Sequence, residues 1–579
     1  MTASANLSRR SLLATGAVVA SAAALSTLVG CSSTKESSSA TEALAETAGE
    51  DQLPPDLKLS DLESSPVELQ TPTEFVTEET YDIVVIGAGI AGVPAVCTAL
   101  EEGATVACLQ KESIVAANGF SSSGICLEES TPGGISRYIA DWAKANNWRV
   151  DRTLFRFWAE HSGETESWYI KHALDAGFEP QELSTAAAVV YDDGEIAANF
   201  DTAFVTCGGN QAVMAALAEQ AQADGAVFYF STPAVSLVQD GSGAVTGAIG
   251  KQEDGSYIKL NASKAVILAA GDYQNNDSMK RRFCGDAMVF KPDQINRTGD
   301  GHILGCLAGG SITPAAHARQ IHCGTATGRQ LVGPYLHLDP NGNRFMDEES
   351  RMTEWNTEMK YLFHGDYPIL RRFFDSEVGT KYPGGGDASF ALALIEANGT
   401  EQGLDGFLVT ADTLDELMDL LQYDEQAKKN ALASIEHYNE MCANGVDEDF
   451  GKDPSYMKAI DTPPYFGVYN TMNFAAINGG LEVNEYYQVI DQNREPIPGL
   501  YAAGTNAGAP CGGINWTMPS GFSNGHCMNA GRYTVIHALT GDLTPSQPVT
   551  FEELKSQFAA GPAGISWENG TAGNAIPLW

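Results

Sequence analysis

Apolar positions fall along this chain in three different ways. An unbroken apolar stretch at 12–30 stands directly behind Arg9 and Arg10. Residues 32–80 then lose periodic apolar content and become rich in Ser, Thr, Glu and Pro, the composition of a disordered acidic linker. From Tyr81 onward, short β-branched runs alternate with glycine-rich breaks, and order is expected to begin there. Ile83–Ile86 is continuous, as a strand buried on both faces of a parallel sheet requires. An apolar helical stretch follows the first glycines and leads to a second strand, "TVACL". The runs "AVILAAG" (265–271) and "IPGLYAAG" (497–504) repeat the strand-to-glycine ending. This alternation predicts an α/β fold with a Rossmann-like unit opening at residue 81.

The breaks carry the chemistry. Gly87, Ala88, Gly89, Ile90, Ala91 and Gly92 spell GxGxxG at a strand-to-helix junction. The first glycine permits the tight turn, the second lets backbone approach a pyrophosphate, and the third lets helix and strand pack closely. In that context the motif predicts dinucleotide binding. The second strand should end in an acid for the ribose hydroxyls. Here Gln110 stands at that place, followed by Lys111, and an amide oxygen accepts more weakly than an anion. Asn118, Gly119, Ser123 and Gly124 lie in a polar small-residue loop able to line a cofactor. Asp300 sits between two glycines before a helix, and "SGFSNGHCMNAGR" (520–532) opens the last long helix.

Composition narrows the function classes. The 579 residues exceed one ordinary core, so two or three packed units are expected. Thirty-four basic against 74 acidic residues give a formal net charge of −40, which disfavours nucleic acid as a partner. Steering of a basic electron carrier fits that charge, and so does simple solubility outside the cell. The 11 cysteines show no CxxC, zinc, iron–sulfur or haem spacing, so no metal site is expected and most thiols should be free, buried fillers. Residues 1–31 read as a twin-arginine export leader ending in a lipobox at Leu28–Cys31. Lipidation of Cys31 would anchor the exported chain to the outer face of the membrane; simple cleavage is the other reading.

Glycine fingerprint, "VILAAG", "TGDG", "GLYAAG" and the final glycine-opened helix, in this order, resemble the flavoprotein family of fumarate reductases and succinate dehydrogenases, with its related ketosteroid dehydrogenases. The resemblance implies FAD, bound by one domain built from two separated segments, 81–319 and 469–579, with an inserted α+β capping domain at 320–468. It adds Val235, Ala270, Gly271, Gly504, Thr505, Phe522, Ser523 and Asn524 to the residues expected at the cofactor. A folded, FAD-loaded protein is also what a twin-arginine leader would carry.

The family's dicarboxylate grip is missing. Ala476 stands where a substrate histidine would fall, and Met518 lies near the position of a carboxylate-binding arginine. Losing both would forfeit several kcal/mol, so fumarate is disfavoured. Trp516, Met518 and Phe522 would make this end of the substrate pocket apolar, or else belong to the core. His322 in "ARQIHCGT" resembles a substrate-proximal histidine, with a structural role as its alternative. Arg351 in "GNRFMDEESR" resembles the family's proton-donating arginine, although it follows Glu348 by three residues where the pattern has four. Asp347, Glu348 or Glu349 would return its proton or hold it in a salt bridge, and Tyr335 and His337 are fallback donors at the pocket.

The resemblance therefore implies an exported FAD-dependent reductase of a small unsaturated molecule, an enone or enoate. Electrons would come from a separate cytochrome or quinol-linked donor. The same hydride step run backwards, on steroid-like ketones, is the rival; a non-catalytic flavin relay is a third reading.

Overall fold

The computed structural model describes residues 57–62, 67–68, 72–180, 182–184, 189–204, 207–290, 294–323, 334–349, 369–381, 408–508, 510–512 and 521–558, together with Leu53, Pro292 and Pro519. Strand β1 (Thr77–Ile86) buries its last four residues, the apolar run that marks it in the sequence. Helix α1 (Gly92–Glu101) and strand β2 (Val106–Leu109), parallel to β1, complete the expected βαβ unit. Strand β3 (Ser121–Cys126) packs on the long helix α2 (Arg152–Asp175). It pairs with β6 (Ile196–Ala203) in a small antiparallel sheet that also takes in β4 (Glu182–Ser184) and β5 (Val189–Val190).

The main sheet has eight strands. Strand β10 (Tyr257–Leu268) lies parallel to β1, and β7 (Val227–Tyr229) lies parallel to β2. At its start β10 pairs antiparallel with β9 (Val245–Lys251), which pairs in turn with β8 (Ala234–Gln239). At its end β10 takes a second parallel neighbour from far along the chain, β17 (Pro496–Ala502), which is edged by β16 (Gln488–Ile490). The parallel strands all deliver their C-terminal ends, and the glycine breaks after them, to one rim. That is where open α/β sheets bind ligands. Helix α3 (Asp300–Leu307) starts at this rim, and helix α5 (Phe522–Thr540) packs on α1, α2 and β3.

A five-stranded antiparallel sheet forms from β11 (Ala318–Cys323), β12 (Leu336–Leu338), β13 (Ile369–Asp375), β14 (Leu408–Ala411) and β15 (Tyr465–Asn478). Its own apolar cluster includes Leu336, Phe373, Leu417 and Ile435, the last on helix α4 (Glu425–Asn444). Strand β15 runs unbroken through position 468, where the sequence reading placed a boundary.

One expectation needs adjustment. Order begins before Tyr81: β1 starts at Thr77, and Leu53, Leu57 and Leu62 are buried in the main core. These leucines supply apolar area that the composition of 32–80 as a whole conceals, and Glu68 is tied to Lys251 and to the Tyr257 hydroxyl. The cysteine reading holds for the described residues. None of the nine described thiols is in a disulfide, and seven of them are buried. No helix among the described residues is long and apolar enough to cross a membrane. Cys31 and the rest of 1–50 lie outside the described residues.

Candidate functional site

The turn after β1 shows why its glycines are needed. Gly87 has φ +105°, and a Cβ there would come within 2.5 Å of the Ala269 carbonyl oxygen at the end of β10. A Cβ on Gly92 would lie 1.8 Å from the Gly87 carbonyl oxygen. Fold closure thus excludes a side chain at both positions. Gly89 differs, because its Cβ would meet only the Ala116 oxygen, at 3.1 Å. No side chain caps the N-terminus of α1.

A cleft opens over this turn. It is lined by Gly87, Ala88, Gly89, Gln110, Lys111, Ala116, Pro233, Ala270, Asn296, Arg297 and Asp300, among others. The structure thus brings together most of the predicted residues from the first two strands, β10 and α3. Lys111 Nζ donates to Asp300 Oδ2 at 2.8 Å and to Thr298 Oγ1 at 2.8 Å, and Thr298 donates to Asp300 Oδ1 at 2.6 Å. Gln110 lines the cleft with both ends of its amide engaged. Its oxygen accepts from the Ala88 N–H at 3.2 Å, and its nitrogen donates to the Ile114 carbonyl at 2.8 Å. Asn296 and Arg297 went unread in the sequence, although they directly precede the "TGDG" motif.

The far end of the chain closes the cleft from behind. Asn506 Oδ1 accepts from the Ala270 N–H at 2.6 Å, and its amide donates to the Gly271 carbonyl at 2.7 Å. A Cβ on Gly504 would meet the Ala91 methyl at 3.0 Å, and one on Gly531 would sit 2.1 Å from the Ala91 oxygen. Thr505 lies beside Gly504, and Ile90 beside Ala91, on these facing segments. The 116–126 loop is held on the other side. Asn524, one residue after Ser523, donates to the Ser121 carbonyl at 2.6 Å, and Asn210 donates to the Asn118 carbonyl at 3.2 Å. Gly119 is left-handed at φ +73°, and Gly124 backs onto the Ser162 carbonyl of α2. Ser123 carries a buried hydroxyl with no partner among the described residues. Val235 is buried in the core; its carbonyl accepts from the Glu68 N–H.

This arrangement fits a dinucleotide. A glycine cradle meets an uncapped helix end, two cations (Lys111 and Arg297) and two acids (Glu112 and Asp300) line the cleft, and Asn296 holds an orphaned carbonyl oxygen there.

On the presumed substrate side the outcome is mixed. The Phe522 ring is fully buried, 4.7 Å from the Trp158 ring and 5.5 Å from that of Phe155, so it belongs to the core. Tyr335 is likewise fully buried and packs on Phe374. Ala476 is 9% exposed in the apolar cluster that contains Phe155, Trp158, Cys511 and Phe522. Asp272, one residue past the β10 glycine, is a buried carboxylate accepting from the Ile477 N–H at 2.9 Å and the Gln274 N–H at 3.1 Å. Burial raises its pKa, while Arg297 and these donors pull it back.

Glu348 is taken up elsewhere. Its carboxylate accepts from Arg344 at 2.8 and 2.9 Å and from Lys452 at 3.1 Å, in a buried network that includes Asp447. His322 lies on β11 opposite Asn473, its side chain outside the described residues, and Arg351, Trp516 and Met518 also fall outside them.

Sheet, cradle and closing helix together define a flavin-dependent oxidoreductase, as the resemblance implied. The chain belongs to the FAD binding domain family, whose model matches residues 82–521. FAD is its cofactor. It is 28% identical over 510 residues to a vinyl phenol reductase from Lactiplantibacillus plantarum, covering 79% of this chain and 96% of that protein. It is 25% identical to a urocanate reductase from Eggerthella lenta, covering 76% and 72% respectively. Among solved structures, the open form of a flavocytochrome c3 fumarate reductase superposes with a TM-score of 0.60 at 20% identity, over 80% of this chain and 79% of that one. A 3-ketosteroid Δ1-dehydrogenase from Sterolibacterium denitrificans gives 0.60 at 17% identity, over 80% and 100%.

Proposed function

We propose that this protein reduces a carbon–carbon double bond conjugated to an aromatic or carbonyl group, and that fumarate is not its substrate. The observation carrying this reading is Ala476 within the apolar cluster of Phe155, Trp158 and Phe522, where the family's dicarboxylate reductases place a histidine. A methyl group at that place offers no charge-assisted donor, so a second carboxylate would be left unpaired and a substrate lacking one is favoured. The relatives named for vinyl phenol and urocanate reduction support the same class.

Reduced FAD would supply the hydride. The protein's part is to align the alkene and deliver one proton to the other carbon, and Arg351 is the candidate for that transfer. Electrons would reach the enzyme from a separate cytochrome or quinol-linked donor. Arg9-Arg10 and Cys31 extend the proposal to twin-arginine export and a lipid anchor on the outer face of the cytoplasmic membrane or in the periplasm.

Anaerobic oxidation of reduced methyl viologen by the purified protein tests the reading. Turnover is expected with 4-vinylphenol, urocanate or an aryl enone and not with fumarate, and Arg351→Ala should slow it at least about 100-fold. Preference for fumarate would overturn the substrate class. Dye reduction by saturated ketones, with no alkene turnover, would hand the site to the dehydrogenase reading.

A further inference from the structure

The cleft holds two cations in different electrostatic situations. Lys111 is matched by Asp300 at 2.8 Å. Arg297, in the same lining, has no carboxylate within 4.0 Å among the described residues, and its guanidinium makes one hydrogen bond, from Nη2 to the Ala116 carbonyl at 3.2 Å. The carboxylate whose pKa it lowers, Asp272, already accepts from Ile477 and Gln274. The guanidinium lies against the glycine turn, since the Ala116 N–H itself donates to the Ala88 carbonyl at 2.9 Å. Gly271 makes room for it: a Cβ there would lie 2.1 Å from Arg297 Nη1. Beside it stands the unpartnered Asn296 oxygen.

From this geometry we infer that Arg297 is the cation that pairs with the diphosphate of bound FAD. A planar fork with several uncommitted N–H donors, set over a glycine turn and a helix N-terminus, matches a phosphate's oxygens. The need is acute in this molecule. A net charge of −40 repels an anionic cofactor, and the strand end that should hold the ribose with an acid carries Gln110, whose amide already braces the turn. The inference rests on FAD as cofactor and is independent of the substrate class.

The test follows FAD leaving the holoprotein, read as recovered flavin fluorescence on dilution, in about 0.02 M and about 0.5 M NaCl. Arg297→Gln should release FAD about 10- to 100-fold faster than wild type at low salt and lose most of the salt dependence of release. Arg297→Lys, keeping the charge without the fork, should fall between them. Release from Arg297→Gln within about twofold of wild type overturns the inference, as does faster release with unchanged salt dependence, which marks a structural role. Should Arg297→Gln not fold, the wild type and Arg297→Lys decide: release indifferent to salt overturns the assignment, and salt-accelerated release, faster in the lysine variant, supports it.

Discussion

Three buried histidines show how single residues tie this fold to pH. His302, His317 and His526 are 0–2% exposed, and burial is the first cause that lowers their pKa values, to about 4, about 4 and about 3. His317 is braced by the Tyr273 hydroxyl at 2.6 Å, whereas neither ring nitrogen of His526, stacked on Phe522, has a partner among the described residues. In the unfolded chain each takes a proton below about pH 6.5, while in the folded chain they stay neutral until far lower. Stability present above pH 6.5 is therefore lost as the pH falls toward 4, at about 1.4 kcal/mol per pH unit per histidine. Fully buried His337, whose pKa burial also lowers, adds to the effect, so denaturant unfolding between pH 7 and 4.5 should show this slope, and His526→Phe should lessen it by roughly a quarter at most. Parallel curves for the two proteins would refute the assignment. At this scale the sequence was legible wherever a residue belonged to a motif, as with Gly87 and Asp300. Arg297 escaped because its role depends on Gly271, brought to it by the sheet and not by spacing.

At the scale of the element, the β1–turn–α1 unit assigns different duties to glycines that look alike in the motif. Gly92→Ala would drive a methyl into the Gly87 carbonyl, so it should destabilise the fold by about 3 kcal/mol or more and lose the yellow colour with it. Gly89→Ala meets one atom at 3.1 Å and should cost under about 1 kcal/mol of stability, yet release FAD readily because its methyl intrudes where the cofactor's backbone contact is made. Thermal melts and flavin absorbance on the two variants separate these outcomes, and equal melting losses would contradict them. Strands ending in glycine could be read because buried parallel strands are unbroken apolar runs. The antiparallel sheet around β15 could not. Its strands, such as "ILRRFFD" of β13, bury Arg371 and Arg372 and so carry no simple alternation.

For the whole molecule, the resemblance carried by the order of the glycine blocks implied that two distant segments share one domain, and β17 beside β10 is where they meet. Periodicity alone would not have told it, since partner choice between strands is set by tertiary packing. The excess of acid, 74 carboxylates against 34 cations, acts at this scale too. Self-repulsion disfavours the compact state, so the melting temperature should rise by a few degrees, about 2–5 °C, between about 0.02 M and 0.3 M NaCl. A flat or falling response would show that local ion pairs such as Arg344–Asp447 outweigh the global charge.

The late arrival of β17 and α5 also bears on how the molecule comes into being. The cradle around Gly87 leaves the ribosome well before Asn506 and Gly531, which wall it off. A nascent chain therefore presents half a binding site until those two residues have emerged, and the flavin can be locked in only after that.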